Sequence, residues 1–243
     1  LAASGRRVFV GGNIGRPLIG YVDAGMDAEI VVAEISSFQL DTIETFRPAV
    51  GVLLNITEDH LDRYVNFAAY IDSKFSLFTR QEAQQTAIVN ADDPICRARA
   101  YSVPGRLRLF GRGDGEVQAT VLDREVRVRV DVPERAAFSL SLAKSPLQGV
   151  HNEENILATA LVGTELGIPA TVMQGVIDHY RGLAHRLEWV RRWRGIDFYD
   201  DSKATNVGAV VKALENFQRS VLLLLGGRDK LGPYQPLAGL HNQ

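Results

Sequence analysis

The sequence predicts an α/β protein with a mostly parallel central sheet flanked by helices and a smaller antiparallel sheet. Short, continuous apolar runs alternate with segments of helix length over the first 90 residues, which is typical of parallel strands buried on both faces. Between residues 106 and 142, polar and apolar residues alternate, which favours antiparallel strands with one solvated face. A second group of strand and helix patterns follows near the end of the chain.

Four apolar runs define the predicted parallel strands. They are "RVFV" at 7–10, "AEIVVAE" at 28–34, "AVGVLLN" at 49–55 and "TAIVN" at 86–90. Between the last two runs, "NFAAYIDSKFSLF" predicts a helix whose apolar face carries Phe67, Ile71, Phe75 and Phe78. Lys74 falls on that same face. It is either a stem whose ammonium group reaches water or a desolvated amine recruited for chemistry.

The segment from 106 to 142 contains four short alternating runs and predicts a β-rich insertion or a second sheet. The runs are "RLRLF", "VQATVL", "EVRVRVDV" and "AFSLSLA". After it, "NEENILATALVGTELG" places Ile156, Leu157, Ala160 and Leu161 on one helical face and ends at Gly167, which we expect to cap the helix. A further helix is predicted at about 170–180.

The last part of the chain begins with a candidate hinge, "YRGLAH" at 180–185. The run "RLEWVRRWRGIDFYDD" predicts a two-stranded hairpin, and a helix follows from about 206 to 217. The apolar run "SVLLLLGG" at 220–227 predicts a further strand.

Composition excludes several classes of protein. The 243 residues carry 27 basic and 29 acidic side chains, a net charge of −2, so no basic field favours nucleic acid or a membrane surface. The one cysteine, Cys96, cannot form an internal disulfide, and no Cys/His pattern has the spacing of a zinc site. No apolar run approaches the roughly 18 residues of a membrane span. We therefore expect a cytoplasmic protein.

Unusual polar residues follow the predicted strands where each strand ends. The segments are "GGNIG" (11–15), "EISSFQ" (34–39), "ITEDHLDRY" (56–64), "DSKATN" (201–206) and "GGRDK" (226–230). In open α/β sheets, ligands bind in the crevice beyond the carboxyl ends of the strands. The sequence therefore predicts a ligand site at this edge.

Taken singly, each of these segments has two explanations. "GGNIG" fits an ordinary turn. Glu34 fits a solvated carboxylate or a ligand of a hard cation, and His60 fits a structural histidine or a group that binds metal or moves protons. Lys203, beside the free amides of a helix that Thr205 or Asn206 caps, fits an anion site or a plain helix start. Lys230 fits a substrate contact or a surface charge.

Together, these motifs resemble the Mur ligase family over practically the whole chain. The matching segments are "GGNIG", "EISSFQLDTIE", "NITEDHLDRY", "YIDSKFSLF", "VNADD", "GVHNEENILAT", "HRLE", "DSKATN" and "LLLGGRDK". "DSKATN" points to the members that add D-glutamate, since sister ligases and folylpolyglutamate synthases differ after the same Asp. The resemblance implies a P-loop-NTPase-like central domain at 1–183 and the beginning of a Rossmann-like C-terminal domain at 184–243.

The resemblance also implies a reaction. The carboxylate of UDP-N-acetylmuramoyl-L-alanine would attack the γ-phosphate of ATP, and the amine of D-glutamate would displace phosphate from the resulting acyl phosphate. This would be a step of peptidoglycan precursor synthesis. ATP and two Mg²⁺ ions would be the cofactors, and a monomer with no nucleic-acid or membrane partner is expected.

Roles for individual residues come from the same resemblance. Glu34 and His60 would bind magnesium, and Lys74, as a carbamate, would support the second ion. Lys74, His60 and Lys203 would act in catalysis. The substrate contacts would be Asn13 for the muramoyl-alanine group, with Lys203, Thr205 and Lys230 for D-glutamate and the reacting carboxylate. The ATP contacts would be Asn155 at the adenine, Arg186 at the phosphates, Asp201 at the ribose, and Asn152 nearby.

The chain departs from the family pattern in three ways. No UDP-binding domain precedes "GGNIG", no Gly-Lys dipeptide of a phosphate loop occurs, and the sequence stops soon after the run at 220–227. We expect a fragment that lacks ligase activity by itself. Two alternatives stay open: a sister ligase or folylpolyglutamate synthase, and a non-catalytic nucleotide-binding remnant.

Overall fold

The computed structural model describes residues 1–59, 62–112, 115–129, 136–147, 149–214, 217, 219–227 and 234–238. The strands are β1 (Val8–Gly12), β2 (Ile30–Glu34), β3 (Val50–Leu53), β4 (Thr86–Asn90), β5 (Arg106–Phe110), β6 (Ala119–Leu122), β7 (Glu125–Val128), β8 (Phe138–Ser141), β9 (Glu188–Trp193) and β10 (Ile196–Asp200). The helices are α1 (Leu18–Asp23), α2 (Ser37–Leu40), α3 (Phe67–Phe75), α4 (Pro94–Ala100), α5 (Val150–Glu165), α6 (Ala170–His179), α7 (Val207–Leu214) and α8 (Gln235–Ala238). Short 3₁₀ turns span Ala2–Ser4 and Ser76–Phe78.

The largest sheet contains β3 to β8 in the order of the sequence. β3, β4 and β5 are parallel to one another, and β6, β7 and β8 are antiparallel. The two halves are joined by parallel pairing of Phe110 with Ala119. The predicted α/β class and the predicted strand at 86–90 are thus confirmed.

Helices cover both faces of this sheet, as the continuous apolar runs predict. All five residues of β4 are buried. Ile88 belongs to the core that includes α5 and α6, whereas Ala87 and Val89 belong to the core beneath α3 and α4. Successive side chains of a strand point to opposite faces, so a strand buried on both sides shows no polar alternation.

The strand "RLRLF" differs from its prediction. It pairs in parallel with β4, and the antiparallel strands extend the same sheet rather than forming an insertion. Its alternation arises because Arg108 is buried as an ion pair: its Nε donates to Glu165 Oε1 at 3.0 Å, and both side chains are only 11% exposed. At Arg108 the polar residue therefore marks a buried charge and not a solvated face.

β1 and β2 form a separate parallel pair in which Gly12 lies opposite Glu34. α1 packs on one face, where the rings of Phe9 and Tyr21 are 4.9 Å apart. Val10, on the other face, is exposed. In the part of the chain that the structure describes, helical cover on both faces, predicted for all the parallel strands, is found for β4 and not for this pair.

The hairpin of β9 and β10 is confirmed and is antiparallel. Its turn residues, Arg194 and Gly195, have φ values of 49° and 79°, as a two-residue type I′ turn requires. The strand predicted at 220–227 is wrong. No described strand pairs with this run, and Leu222 and Leu224 are 90% and 87% exposed. A strand is defined by its ladder, and apolar composition alone does not provide a partner.

Candidate active site

Glu34 and Asn13 lie side by side where β1 and β2 end. The Asn13 Nδ2 atom donates to Glu34 Oε1 at 3.0 Å, and the Asn13 backbone N–H donates to the Glu34 carbonyl at 2.8 Å. Gly12 makes this approach possible, because its φ is 116° and an added Cβ would lie 2.3 Å from the Glu34 carbonyl oxygen. The turn and the functional interpretation of "GGNIG" are therefore compatible.

The loop after β3 is anchored to the next strand connection. Ile56 is buried and its N–H donates to Asp93 Oδ2 at 3.2 Å. Asp59 is half-buried further along the loop. His60, the predicted magnesium ligand and catalytic residue, lies outside the described residues.

Lys74 lies near the end of α3, a helix capped by Asn66, whose Oδ1 accepts from the Ala69 N–H at 2.9 Å. The amine is half-buried, with Nζ 5.1 Å from the ring centroid of Tyr70. Burial lowers its pKa below the usual lysine value, while nearby Asp59, Cys96 and Glu34 oppose that shift. The amine is thus partly desolvated, and the charge of Glu34 acts on it.

Tyr70 and Cys96 form part of the wall around that amine. Both are buried, and burial raises the pKa of Tyr70 to about 12 and raises that of the Cys96 thiol well above its usual range. Both groups therefore stay neutral near pH 7, which leaves carboxylates as the charged partners of Lys74.

A second group of predicted residues gathers at the start of α5. Asn152 is half-buried in the first turn and Asn155 is exposed one turn later. Burial lowers the pKa of the neighbouring His151, Asp201 opposes this, and Arg186 lowers it further. The charges of Asp201 and Arg186, distant in sequence, therefore act on the first turn of α5, where free backbone amides favour anions.

Hydrogen bonds at both ends hold the "DSKATN" segment. At its start, Leu187 N–H donates to Asp201 Oδ1 at 2.9 Å, and Lys203 N–H donates to the His185 carbonyl at 3.0 Å. At its end, Asn206 and not Thr205 caps α7. Lys203 and Thr205 are exposed between these anchors. Lys230 lies outside the described residues.

His185 and Asp200 form an ion pair at the root of the hairpin. His185 Nδ1 is 2.7 Å from Asp200 Oδ2, and the His185 N–H donates to Glu188 Oε2 at 2.8 Å. The hydrogen bond to Asp200 raises the pKa of His185, and the one from His185 lowers that of Asp200 to about 2. Among the described residues, these three side chains are the group close enough to share a metal ion, and the hydrogen bonds already account for their arrangement.

Replacing Asp200 with asparagine is expected to lower the pKa of His185 towards the ordinary value of about 6.5, because the negative partner is lost. An NMR titration of the His185 ring protons measures this directly. Asp197→Asn is the matched control, since Asp197 pairs with Arg192 instead, 2.7 Å away. An unchanged His185 pKa in Asp200→Asn would contradict the ion pair.

The same pair predicts a pH window for the hairpin root. The raised pKa of His185 means that its contribution is complete below about pH 6.5 and is lost as the pH rises through the raised value. The lowered pKa of Asp200 means that its contribution is complete above about pH 4 and is lost as the pH falls through about 2. The protection of the Lys203 N–H, measured as its hydrogen-exchange rate relative to an unstructured peptide at the same pH, should therefore be greatest between these limits.

Several residues of this region carry no functional signal of their own in the sequence. Asp59 stands in a segment crowded with charges of both signs, Asn206 is a possible cap, and His185 belongs to the candidate hinge and to a matching motif. Their partners lie far away in sequence. The crowding of charge in "NITEDHLDRY" was the one available signal for Asp59. Among the described residues, no helix is both long and apolar enough to cross a membrane.

Comparison with known proteins identifies the family. The Mur ligase middle domain model matches residues 13–163. The UDP-N-acetylmuramoylalanine–D-glutamate ligase of Geotalea daltonii is 44% identical over 98% of this chain and 52% of its own length. The ligase of the same name from Desulfosudis oleivorans is 45% identical over 95% of this chain and 50% of its own. The chain therefore spans about half the length of the curated relatives it matches.

Solved structures show the same fold at low identity. The MurF ligase of Thermotoga maritima, crystallised with ADP, has a TM-score of 0.67 and 20% identity over 89% of this chain and 52% of its own. A pseudomurein peptide ligase type C from Methanothermus fervidus has a TM-score of 0.64 and 17% identity over 89% of this chain and 51% of its own.

Proposed function

This chain belongs to the Mur ligase family, and we propose that its residues serve the ATP-dependent addition of D-glutamate to UDP-N-acetylmuramoyl-L-alanine in peptidoglycan precursor synthesis. The observation that carries the proposal is that Asn13 contacts Glu34 at the carboxyl ends of β1 and β2, and that the charges of Glu34 and of Asp59, in the loop after β3, act on Lys74. Ligands of open α/β sheets bind at this edge. ATP and a UDP-linked precursor, the proposed substrates, place the reaction in the cytoplasm.

The residues at this edge fit magnesium. The Glu34 carboxylate and the Asn13 amide, in direct contact, offer the oxygen donors that Mg²⁺ prefers. We assign Glu34 and His60 as ligands and Lys74, as a carbamate, as support for a second ion. When bound, the two ions would offset charge on the transferring phosphoryl group. A carbamate forms from a neutral amine, so the lowered pKa of Lys74 favours it.

The start of α5 suits the nucleotide. We assign Asn155 to the adenine, Arg186 to the phosphates, Asp201 to the ribose, and Asn152 to the same region. The arrangement supports this assignment because Arg186 and Asp201 both act on His151 in the first turn of the helix. The positive end of the helix adds to the attraction for phosphate.

The remaining residues would handle the two carboxylate substrates. Asn13 would orient the muramoyl-alanine, whose carboxylate attacks the γ-phosphate of ATP and expels ADP. The free amine of D-glutamate then attacks the acyl phosphate, the C–O bond to phosphate breaks, and a proton leaves the nitrogen. Lys203, Thr205 and Lys230 would hold D-glutamate and offset the developing oxyanion. Lys203 is exposed and its backbone is anchored, so its charge is available to an incoming anion.

A hybrid enzyme tests the proposal. Residues 1–243 replace the matching half of the Geotalea daltonii ligase, and the assay follows ATP-dependent incorporation of labelled D-glutamate into UDP-N-acetylmuramoyl-L-alanine. We expect D-glutamate to be incorporated, and L-glutamate, L-lysine and meso-diaminopimelate to be excluded. Incorporation of one of these other amino acids alone would favour a sister ligase. A well-folded hybrid that binds ATP without turnover would favour a nucleotide-binding remnant.

The 243-residue chain by itself is expected to show no ligase turnover. It contains no Gly-Lys dipeptide, so it lacks the backbone cradle and lysine that hold ATP phosphates in this family. A spectrophotometric phosphate-release assay with all substrates should stay at the rate of a Lys74→Ala control. Release above that control would contradict the expectation.

A further inference from the structure

The start of α7 contacts the loop that follows β3. Asn206 uses both ends of its side-chain amide: its Oδ1 accepts from the Ala209 N–H at 2.8 Å, and its Nδ2 donates to Asp59 Oδ2 at 3.4 Å. Gly208 lies beside Thr57, since a Cβ placed at Gly208 would be 3.6 Å from Thr57 Cβ. α7 and this loop therefore meet at a defined point, which we call the α7 joint (Thr57, Asp59, Asn206 and Gly208).

The α7 joint reaches the surroundings of Lys74 through Asp59. The Asp59 carboxylate is half-buried, and among the charges that act on Lys74 it has the largest effect. Asp59 also raises the pKa of Tyr70, whose ring lies against the lysine. The Asp59 carboxylate, which accepts a hydrogen bond from the Asn206 amide, thus also acts electrostatically on Lys74.

Asparagine is the residue type that can make both contacts. Serine and aspartate also cap helices, because either offers an oxygen to the N–H groups of the first turn. Serine, however, is too short to donate a second hydrogen bond across the joint. Aspartate would place a second carboxylate against Asp59, which is repulsive. The carbonyl and N–H₂ groups of asparagine satisfy the helix and Asp59 at once.

We propose that Asn206 is a positioning residue that fixes the place of Lys203 and Thr205 relative to Lys74. The hydrogen bonds from Lys203 to His185 and from Leu187 to Asp201 fix the start of the segment to the preceding turn. Asn206 fixes its end to the loop after β3. The role of Asn206 in the reaction rests on the proposed function, whereas the contacts of the α7 joint do not depend on that function.

An engineered disulfide can test, in the absence of substrates, how firmly the α7 joint holds α7 against the loop after β3. Thr57→Cys with Gly208→Cys places two sulfur-bearing Cβ atoms near 3.6 Å, within the usual disulfide range. Native Cys96 is fully buried and does not compete. The effective concentration of this disulfide in glutathione buffers reports how firmly α7 is held. Thr57→Cys with Gly175→Cys is the control, since nothing lies within 4 Å of a Cβ at Gly175, and it should not close.

Three variants of the Thr57→Cys, Gly208→Cys protein distinguish the two roles of Asn206, which are to cap α7 and to link it to Asp59. Asn206→Ser keeps the cap and should lower the effective concentration about fivefold, the equivalent of one modest hydrogen bond. Asn206→Asp should lower it further. Adding Asp59→Asn to Asn206→Asp exchanges amide and carboxylate and should restore it to within about twofold. Hydrogen exchange of Val210 N–H, bonded to the Asn206 carbonyl at 3.3 Å, should stay the same throughout if α7 remains capped.

Several results would overturn the proposal: no disulfide in the parent, an unchanged effective concentration in Asn206→Ser, or no rescue by the exchanged pair. In the hybrid ligase, Asn206→Ser should raise KM for D-glutamate about fivefold with a smaller change in kcat, and an unchanged KM would reject the positioning role. If the hybrid fails to use D-glutamate at all, the ligase proposal fails while the disulfide measurements still decide the joint.

Discussion

Replacing Lys74 with alanine in the hybrid ligase is expected to lower kcat on the order of 10³-fold, with little change in KM for ATP. The proposed carbamate supports charge that develops on the transferring phosphoryl group, so its loss falls on the transition state more than on substrate binding. Tyr70 and Cys96, whose pKa values burial raises, stay neutral at pH 7 and cannot supply a negative charge in place of the carbamate. Initial rates of phosphate release measure the effect.

Two further variants and one spectrum make the Lys74 result specific. Lys144→Ala removes an exposed lysine and should leave kcat within about twofold. Lys74→Arg keeps a positive charge, but its guanidinium group cannot form a carbamate. Its kcat should therefore be as low as that of Lys74→Ala. A ¹³C carbamate signal from labelled bicarbonate should appear in the parent protein and vanish in both Lys74 variants. Full activity in Lys74→Arg would show that charge alone suffices.

Local periodicity was enough to predict much of the fold. "TAIVN" is buried on both faces as its unbroken apolar run predicts, and the face of α5 with Ile156 and Leu161 is the one that meets the sheet. The position of Lys74 also followed from spacing, since residues seven and eight positions after Phe67 share its helical face. In these cases the information lies within one element, where backbone geometry fixes which side chains share a face.

Features that depend on a partner distant in sequence could not be predicted. Arg108 was assigned to a solvated face because the ion pair that buries it comes from Glu165, 57 residues later. The run at 220–227 has strand composition but pairs with no described strand. The contact of Asn206 with Asp59 spans 147 residues, so the sequence showed only its local half, the helix cap. Each case needs the tertiary arrangement that places the second group.

Replacing Glu165 with glutamine is expected to lower the free energy of unfolding of this chain by about 3 kcal/mol. Glu165 accepts hydrogen bonds from Arg108 Nε and Thr86 Oγ1, each at 3.0 Å, and Arg106 Nη2 lies 3.3 Å away. Glutamine has nearly the same shape but leaves the buried Arg108 guanidinium without its counter-charge. Urea denaturation followed by circular dichroism gives the difference, provided that the denaturant dependence is the same in both proteins.

An exposed pair and a double replacement test whether burial is the cause. Glu125→Gln breaks the pair between Glu125, whose side chain is 43% exposed, and Arg127, whose side chain is 54% exposed. It should lower the free energy of unfolding by about 0.5 kcal/mol. Arg108→Met with Glu165→Leu removes both buried charges and should recover a large part of the loss, because no unpaired charge remains. A double variant as unstable as Glu165→Gln would mean that specific packing around Glu165 holds β4, β5 and α5 together. Recovery would instead show that the cost arises from an uncompensated guanidinium in the core.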